Sequence, residues 1–234
     1  MATIGGHTIK AFDDDLDRLR ALISEMGGLA EHGIREAMRC LVERDHDGAK
    51  RVVEEDRKLD ALELETERRA VRLIALRAPM AGDLRDVVAA LKISSVVERI
   101  GDYAKNIAKR VPLLDDIGHV EPLSLMPEMA RIATDMVHDV LTAFVERDAA
   151  VALEVIERDK KVDDFYNSIF RTLLTYMMEN PHNIGQSTHL LFVAKNVERV
   201  GDHATNIAEM VYYAATGDYL GDRPKGDDPL ASAQ

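Results

Sequence analysis

The chain has 234 residues, enough for one large domain or two small ones, either with a buried core. Hydrophobic residues make up 46% of it and charged residues 31%, which excludes wholesale disorder. Thirty Lys and Arg against 42 Asp and Glu leave a formal charge of −12, the wrong sign for affinity built on phosphate contacts, so no nucleic-acid partner is expected.

The one cysteine, Cys40, cannot form an internal disulfide, and no Cys/His spacing suggests a zinc site. The longest stretch without Asp, Glu, Lys or Arg, Asn180 to Ala194, falls short of the ~18–20 apolar residues of a membrane span. Met1 to Lys10 has no apolar run of signal-peptide length. The expectation is therefore a cytoplasmic protein without direct membrane insertion.

Proline placement divides the chain. All seven prolines, at 79, 112, 122, 127, 181, 224 and 229, bound long Pro-free stretches rich in Ala, Leu, Glu, Arg, Met and Lys. In chain order these predict helices over about Phe12–Arg44, Asp47–Arg77, Gly82–Val111, Pro127–Arg147, Ala149–Glu179 and Asn183–Thr216. Asp45 to Asp47 and Asp148 are candidate caps. Rods of this length joined by short connections must run antiparallel.

An internal repeat fixes the organisation. Val97–Ala108 and Val197–Ala208 agree at nine of twelve positions, differing only at Ile100/Val200, Tyr103/His203 and Lys105/Thr205. Upstream, Leu41–Asp45 matches Phe144–Asp148, and Val53–Asp60 matches Ile156–Asp163. The fold expected is all-α, a tandem repeat of two antiparallel three-helix bundles. The units are read as 1–115 and 120–217, followed by a flexible tail over 218–234.

The second helix carries Asp56, Asp60, Glu63 and Glu67 on one stripe, within ~60° of one another. The matching stripe in the second copy is Asp159, Asp163, Tyr166 and Phe170, so only the two aspartates are kept. The third helix of each unit keeps Glu98 with Asp102, or Glu198 with Asp202. Acids four residues apart repel one another, and facing pairs are neutralised most naturally by hard cations such as Mg, Mn, Ca or Fe. Gly101 and Gly201, each just before the final Asp, are excused in a helix by close approach of a neighbour or a ligand. A solvated ion-pair face, with Arg99 and Arg199 serving the acids, is the competing reading; Asn106 and Asn206 are candidate outer-sphere donors or buried interhelical contacts. Glu43 and His46 have a di-iron ligand spacing, but the second copy has Ala149 in place of the His, so a helix end is expected.

The duplicated Glu-Arg-Ile/Val-Gly-Asp-x-x-x-Asn-Ile-Ala resembles the PhoU family. Supporting features are His7, Phe12, Leu16 and Leu19, Met26-Gly27, the run Pro79 to Arg85, and Asn180-Pro181; Val96-Val97 and Asn196-Val197 depart from the usual residues before Glu-Arg. The resemblance implies a negative regulator of phosphate uptake and of the phosphate-starvation response, linking the transporter ATPase subunit of a phosphate-specific ABC system to a sensor histidine kinase. It also implies a homodimer, no enzymatic activity, and multinuclear metal sites at Asp56, Asp60, Glu98 and Asp102 and at Asp159, Asp163, Glu198 and Asp202, holding Fe, Mn or Mg, with Zn possible. Without those eight acids the formal charge would be −4. A carboxylate-bridged hydrolase or oxidase and a metal-free scaffold are the alternatives.

Overall fold

A computed structural model of the chain describes the backbone of residues 4–114 and 122–221, and the side chains of 12–114 and 124–221. Six long helices account for nearly all of it, with no strand among the described residues: α1 (Ile4–Glu43), α2 (His46–Arg77), α3 (Gly82–Ala108), α4 (Pro122–Glu146), α5 (Ala149–Glu179) and α6 (Ile184–Thr216). Short 3₁₀ turns lie at Val111–Leu113 and Pro181–Asn183. The expected division between repeats, and the tail beyond residue 221, lie outside the described residues.

Three expected boundaries move, and one of them is the end of α3, at Ala108 rather than at Val111, where a 3₁₀ turn begins. Helix α1 begins at Ile4 rather than near Phe12, crossing Gly5 and Gly6, whose poor helix propensity made the later start the better reading. Helix α4 begins at Pro122 and contains Pro127. That proline is the sixth residue of α4, past the first four N–H groups that have no intrahelical acceptor, and so costs the helix one backbone hydrogen bond.

Heptad-like burial explains the bundling. In α3, Ala90, Ile93, Val97, Ile100, Ala104 and Ile107 alternate at three- and four-residue steps and are all buried. In α6 the same rhythm gives Leu190, Val193, Val197, Val200, Ala204 and Ile207. Helices α1, α2 and α3 pack on one another, as do α4, α5 and α6, which makes two three-helix bundles. The bundles join through α1 against α4 and α3 against α6, leaving α2 and α5 on the outer sides. Tyr103 and His203 occupy equivalent positions in the two repeats and touch, with Tyr103 Oη 3.2 Å from His203 Nε2. A residue in contact with its own equivalent marks a local pseudo-twofold axis.

The corners repeat as well. Arg44 and Arg147 both adopt φ 58°, and the following N–H groups of Asp45 and Asp148 reach back to the carbonyls of Cys40 and Ala143 at 3.0 and 2.9 Å. This closes α1 and α4 with the same left-handed cap. Asp45 then accepts from Gly48 N at 2.8 Å, and Asp148 accepts from Ala150 N at 2.8 Å and Val151 N at 3.1 Å, starting α2 and α5 as expected. Among the described residues no helix is long and apolar enough to cross a membrane.

Candidate metal centres

Two acids of α2, Asp56 and Glu63, lie where a bundle helix ordinarily places apolar side chains, whereas Asp60 and Glu67 are exposed. Buried Val52, Leu59, Thr66 and Leu73 recur at seven-residue steps, and Asp56, Glu63 and Ala70 fill the alternate seam positions between them. The Asp56 side chain is 7% exposed. It faces α3, whose Asp102 and Lys105 approach it: the Lys105 ammonium donates to both Asp56 and Asp102, the latter at 2.6 Å. Glu98 lies in the same group. Its carboxyl is pushed up to about 7 by burial first, then by the negative charges of Asp102, Glu63, Asp60 and Asp56. All four predicted acids of the first site are therefore within one electrostatic cluster, with Glu63 as a fifth.

The second cluster follows the same plan on α5 and α6. Val155, Val162 and Ile169 line the seam, with Asp159 and Tyr166 between them. Burial, and then Asp202, raise the Asp163 carboxyl. Glu198 is raised chiefly by burial, opposed by a 2.5 Å hydrogen bond from Lys195 Nζ to its Oε1. Its other oxygen, Oε2, is buried without a hydrogen-bond partner. The two glycines behave as their position suggested. A Cβ on Gly201 would stand 2.7 Å from Asp159 Oδ1, and one on Gly101 would strike Leu59 Cδ2 while lying 3.5 Å from Asp56 Oδ1. Gly201 opens the helix face on which Asp159 rests, whereas Gly101 makes room chiefly for Leu59.

The fit to a hard cation can be judged on these contacts. Among the described residues no three acidic, histidine or cysteine side chains are disposed as a ready ligand set. Lysine ammonium groups reach the carboxylates in both clusters, and Lys105 joins α2 to α3 much as a bridging cation would. An all-oxygen donor set, a protonation-prone Glu98 and an orphaned Glu198 oxygen all suit a cation stronger than one ammonium.

The remaining predicted participants lie elsewhere. Asn106 and Asn206 are exposed. Arg99 and Arg199 act on the pseudo-twofold seam, where both lie close enough to Tyr103 and His203 to influence their protonation. Lys105, Lys195 and Glu63 are the participants that the repeat did not select. Lys105 corresponds to Thr205 and Lys195 to Ser95, so neither is part of the duplicated motif; their i,i+3 spacing to Asp102 and Glu198 is the local signal that marks them. Glu43 pairs with Arg39 at 2.5 Å at the end of α1, and His46 opens α2, in keeping with a helix end.

Known proteins resemble this chain along most of its length. The family model described as the PhoU domain matches twice, over residues 23–111 and 126–211. The phosphate-specific transport system accessory protein PhoU homolog of Zymomonas mobilis is 54% identical over 97% of this chain and 96% of its own. The homolog of the same description from Caulobacter vibrioides is 48% identical over 94% of this chain and 97% of its own. The crystal structure of PhoU from Pseudomonas aeruginosa superposes with a TM-score of 0.84 at 35% identity, covering 88% of this chain and 100% of that one. That of the phosphate transport system regulatory protein PhoU from Streptococcus pneumoniae gives 0.83 at 27% identity, with 89% and 99% covered. With the family model matched twice, and with these relatives and solved structures similar along most of their length, the chain belongs to the PhoU family.

Proposed function

We propose that this protein is a cytoplasmic, non-enzymatic regulator of phosphate uptake that represses the phosphate-starvation response. In this reading it acts as a homodimer between the ATPase subunit of a phosphate-specific transporter and a sensor histidine kinase. The observation that carries the proposal is similarity along nearly the whole length of both chains to proteins named as accessory to phosphate-specific transport. Removing the gene from its host should switch on a starvation-responsive reporter in phosphate-replete medium, and the intact gene should silence it again. A reporter that stays silent after deletion would refute the regulatory reading.

The two acid clusters are the proposed metal centres: Asp56, Asp60, Glu98 and Asp102 in the first, and Asp159, Asp163, Glu198 and Asp202 in the second. Fe, Mn or Mg suits the all-oxygen donor set, and Zn is a further candidate. A bound cation supplies positive charge that ties α2 to α3 and α5 to α6. The chain's own part is to hold the carboxylates in register on stiff helices and to withdraw Lys105 and Lys195 as the site fills. Elemental analysis of mildly purified protein should find at least one metal per chain, and Asp60→Ala combined with Asp163→Ala should remove it. Less than one metal per chain would end the metal reading while leaving the reporter result standing.

A further inference from the structure

The outer end of the first bundle holds a groove of about 450 Å³ between α1 and α2, within the size range of small-ligand sites. Arg18 from α1 and Arg68, Arg69, Arg72 and Arg77 from α2 line it. Two of these have carboxylate partners in the lining itself: Arg69 donates to Glu65 at 2.6 Å, and Arg77 lies 3.5 Å from Asp15. Arg18, Arg68 and Arg72 are exposed and make no ion pair with a carboxylate among the described residues. Five guanidinium groups against two carboxylates leave the lining with three uncompensated positive charges, on a chain whose total is −12.

The groove does not belong to the repeated fold. At the equivalent positions of the second repeat, Arg68 is matched by Arg171, but Glu65, Arg69, Arg72 and Arg77 become Ser168, Thr172, Thr175 and Asn180. The bundle therefore folds without this charge, and the first copy alone gathers it. Nor is it a general ion-pair face. Arg131 on α4 shows the contrast, since it sits beside Glu128 at 2.7 Å and Asp135 at 2.6 Å.

We propose that this groove is a binding site for a compact anion carrying two phosphoryl groups. Guanidinium forks pair with phosphoryl oxygens in bidentate fashion, and arginines brought together from two helices suit a ligand with several acceptor oxygens. Each phosphoryl group carries roughly −1.5 to −2 near neutral pH, so two of them balance the three uncompensated charges. Among the described residues the lining contains no aromatic ring on which a nucleobase could stack, so recognition is of the charged group. Leu73 forms a buried floor and Leu76, 68% exposed, an apolar rim.

The test is a calorimetric titration of the full chain with inorganic pyrophosphate at fixed ionic strength, with sulfate and citrate as comparison anions. Saturable pyrophosphate binding is expected, at least ~10-fold weaker in R68Q/R72Q and unchanged in R171Q, the equivalent residue of α5. Glutamine keeps the helix propensity of arginine, so circular dichroism and melting should be unaltered; Arg18→Gln, on the other helix, gives the same readout should the double variant fail to fold. Binding retained by R68Q/R72Q or by Arg18→Gln would place the anion elsewhere, the acidic centres included, and overturn the proposal. So would citrate or sulfate binding as tightly as pyrophosphate, or no saturable binding at all.

Discussion

Helices α2 and α5 carry their aspartates at equivalent positions, but the next two turns diverge: Glu63 and Glu67 in α2 stand where α5 has Tyr166 and Phe170. Each site also takes its lysine from a different place, Lys105 three residues after Asp102 and Lys195 three residues before Glu198. Lys195 lies 5.1 Å from the centre of the Tyr166 ring, a contact that the first site cannot make. The same duplicated backbone therefore gathers five carboxylates in the first repeat, two of them bonded to Lys105, and four carboxylates with a lysine and an aromatic ring in the second. Duplication preserved the groups set by helix geometry, while the surroundings that tune their charge drifted apart.

The largest test of this inequality lies away from the sites. Asp86 at the start of α3 is buried and accepts from Arg20 at 3.0 Å and from Arg147 at 2.8 Å, tying α1, α3 and the α4–α5 corner together. Its equivalent in the second repeat is the half-buried Gln186. Asp86→Ala should cost about 3 kcal/mol in urea denaturation, at the low end for a broken buried pair because Arg147 can turn toward water. Gln186→Ala should cost well under half of that, and equal losses would mean that the two repeats are locked alike.

Metal removal should come next in size. If the centres hold cations as proposed, chelation should lower the melting temperature, with a stabilisation of about 2.7 kcal/mol lost per site when free metal had been 100-fold above its dissociation constant. The first site, with its fifth carboxylate, should release its metal last, so D163A protein should keep a tighter-bound ion than D60A protein in chelator titrations. The glycines sharpen the same comparison. Gly201→Ala pushes directly on Asp159, whereas Gly101→Ala pushes on Leu59. The first substitution should empty the second site, and the second should leave the first site's metal count closer to that of the parent.

Smaller effects belong to the helix starts and to protonation. Asp148→Ala should cost about 1 kcal/mol in thermal unfolding, because two backbone N–H groups lose their acceptor. Asp45→Ala should also destabilise, with the added loss of the 2.9 Å contact to Arg39. In metal-free protein, Glu98 in the fold prefers its proton up to about 7, against an ordinary carboxyl value of 4.5. Its contribution to stability is present in full below 4.5 and is lost as pH rises through 7. Glu98→Gln should flatten that decline in a pH series of melting curves recorded in chelator, and an unchanged slope would assign the decline to other groups.

Much of this was legible in residue order. Prolines, caps and the duplicated motif gave five of the six helix ends to within a residue or two, because a break in helical hydrogen bonding is a local event. The eight acids could be selected because a second copy in the same chain served as a control on each stripe. That control misled where the copies differ. Lys105 and Glu63 have no counterpart in the second repeat, yet both lie within the first cluster.

The sequence by itself determined six amphipathic helices, their duplication and the two rows of acids, since each is a matter of period and spacing along one helix. Tertiary structure decided which helices meet. It turned Asp56 and Glu63 from members of a surface stripe into occupants of an interhelical seam, set Tyr103 against its own equivalent His203, and gathered arginines from α1 and α2 into one groove. Those outcomes depend on how helices far apart in the chain are turned toward one another. Packing of the buried heptad positions fixes that rotation, and no window of sequence contains it.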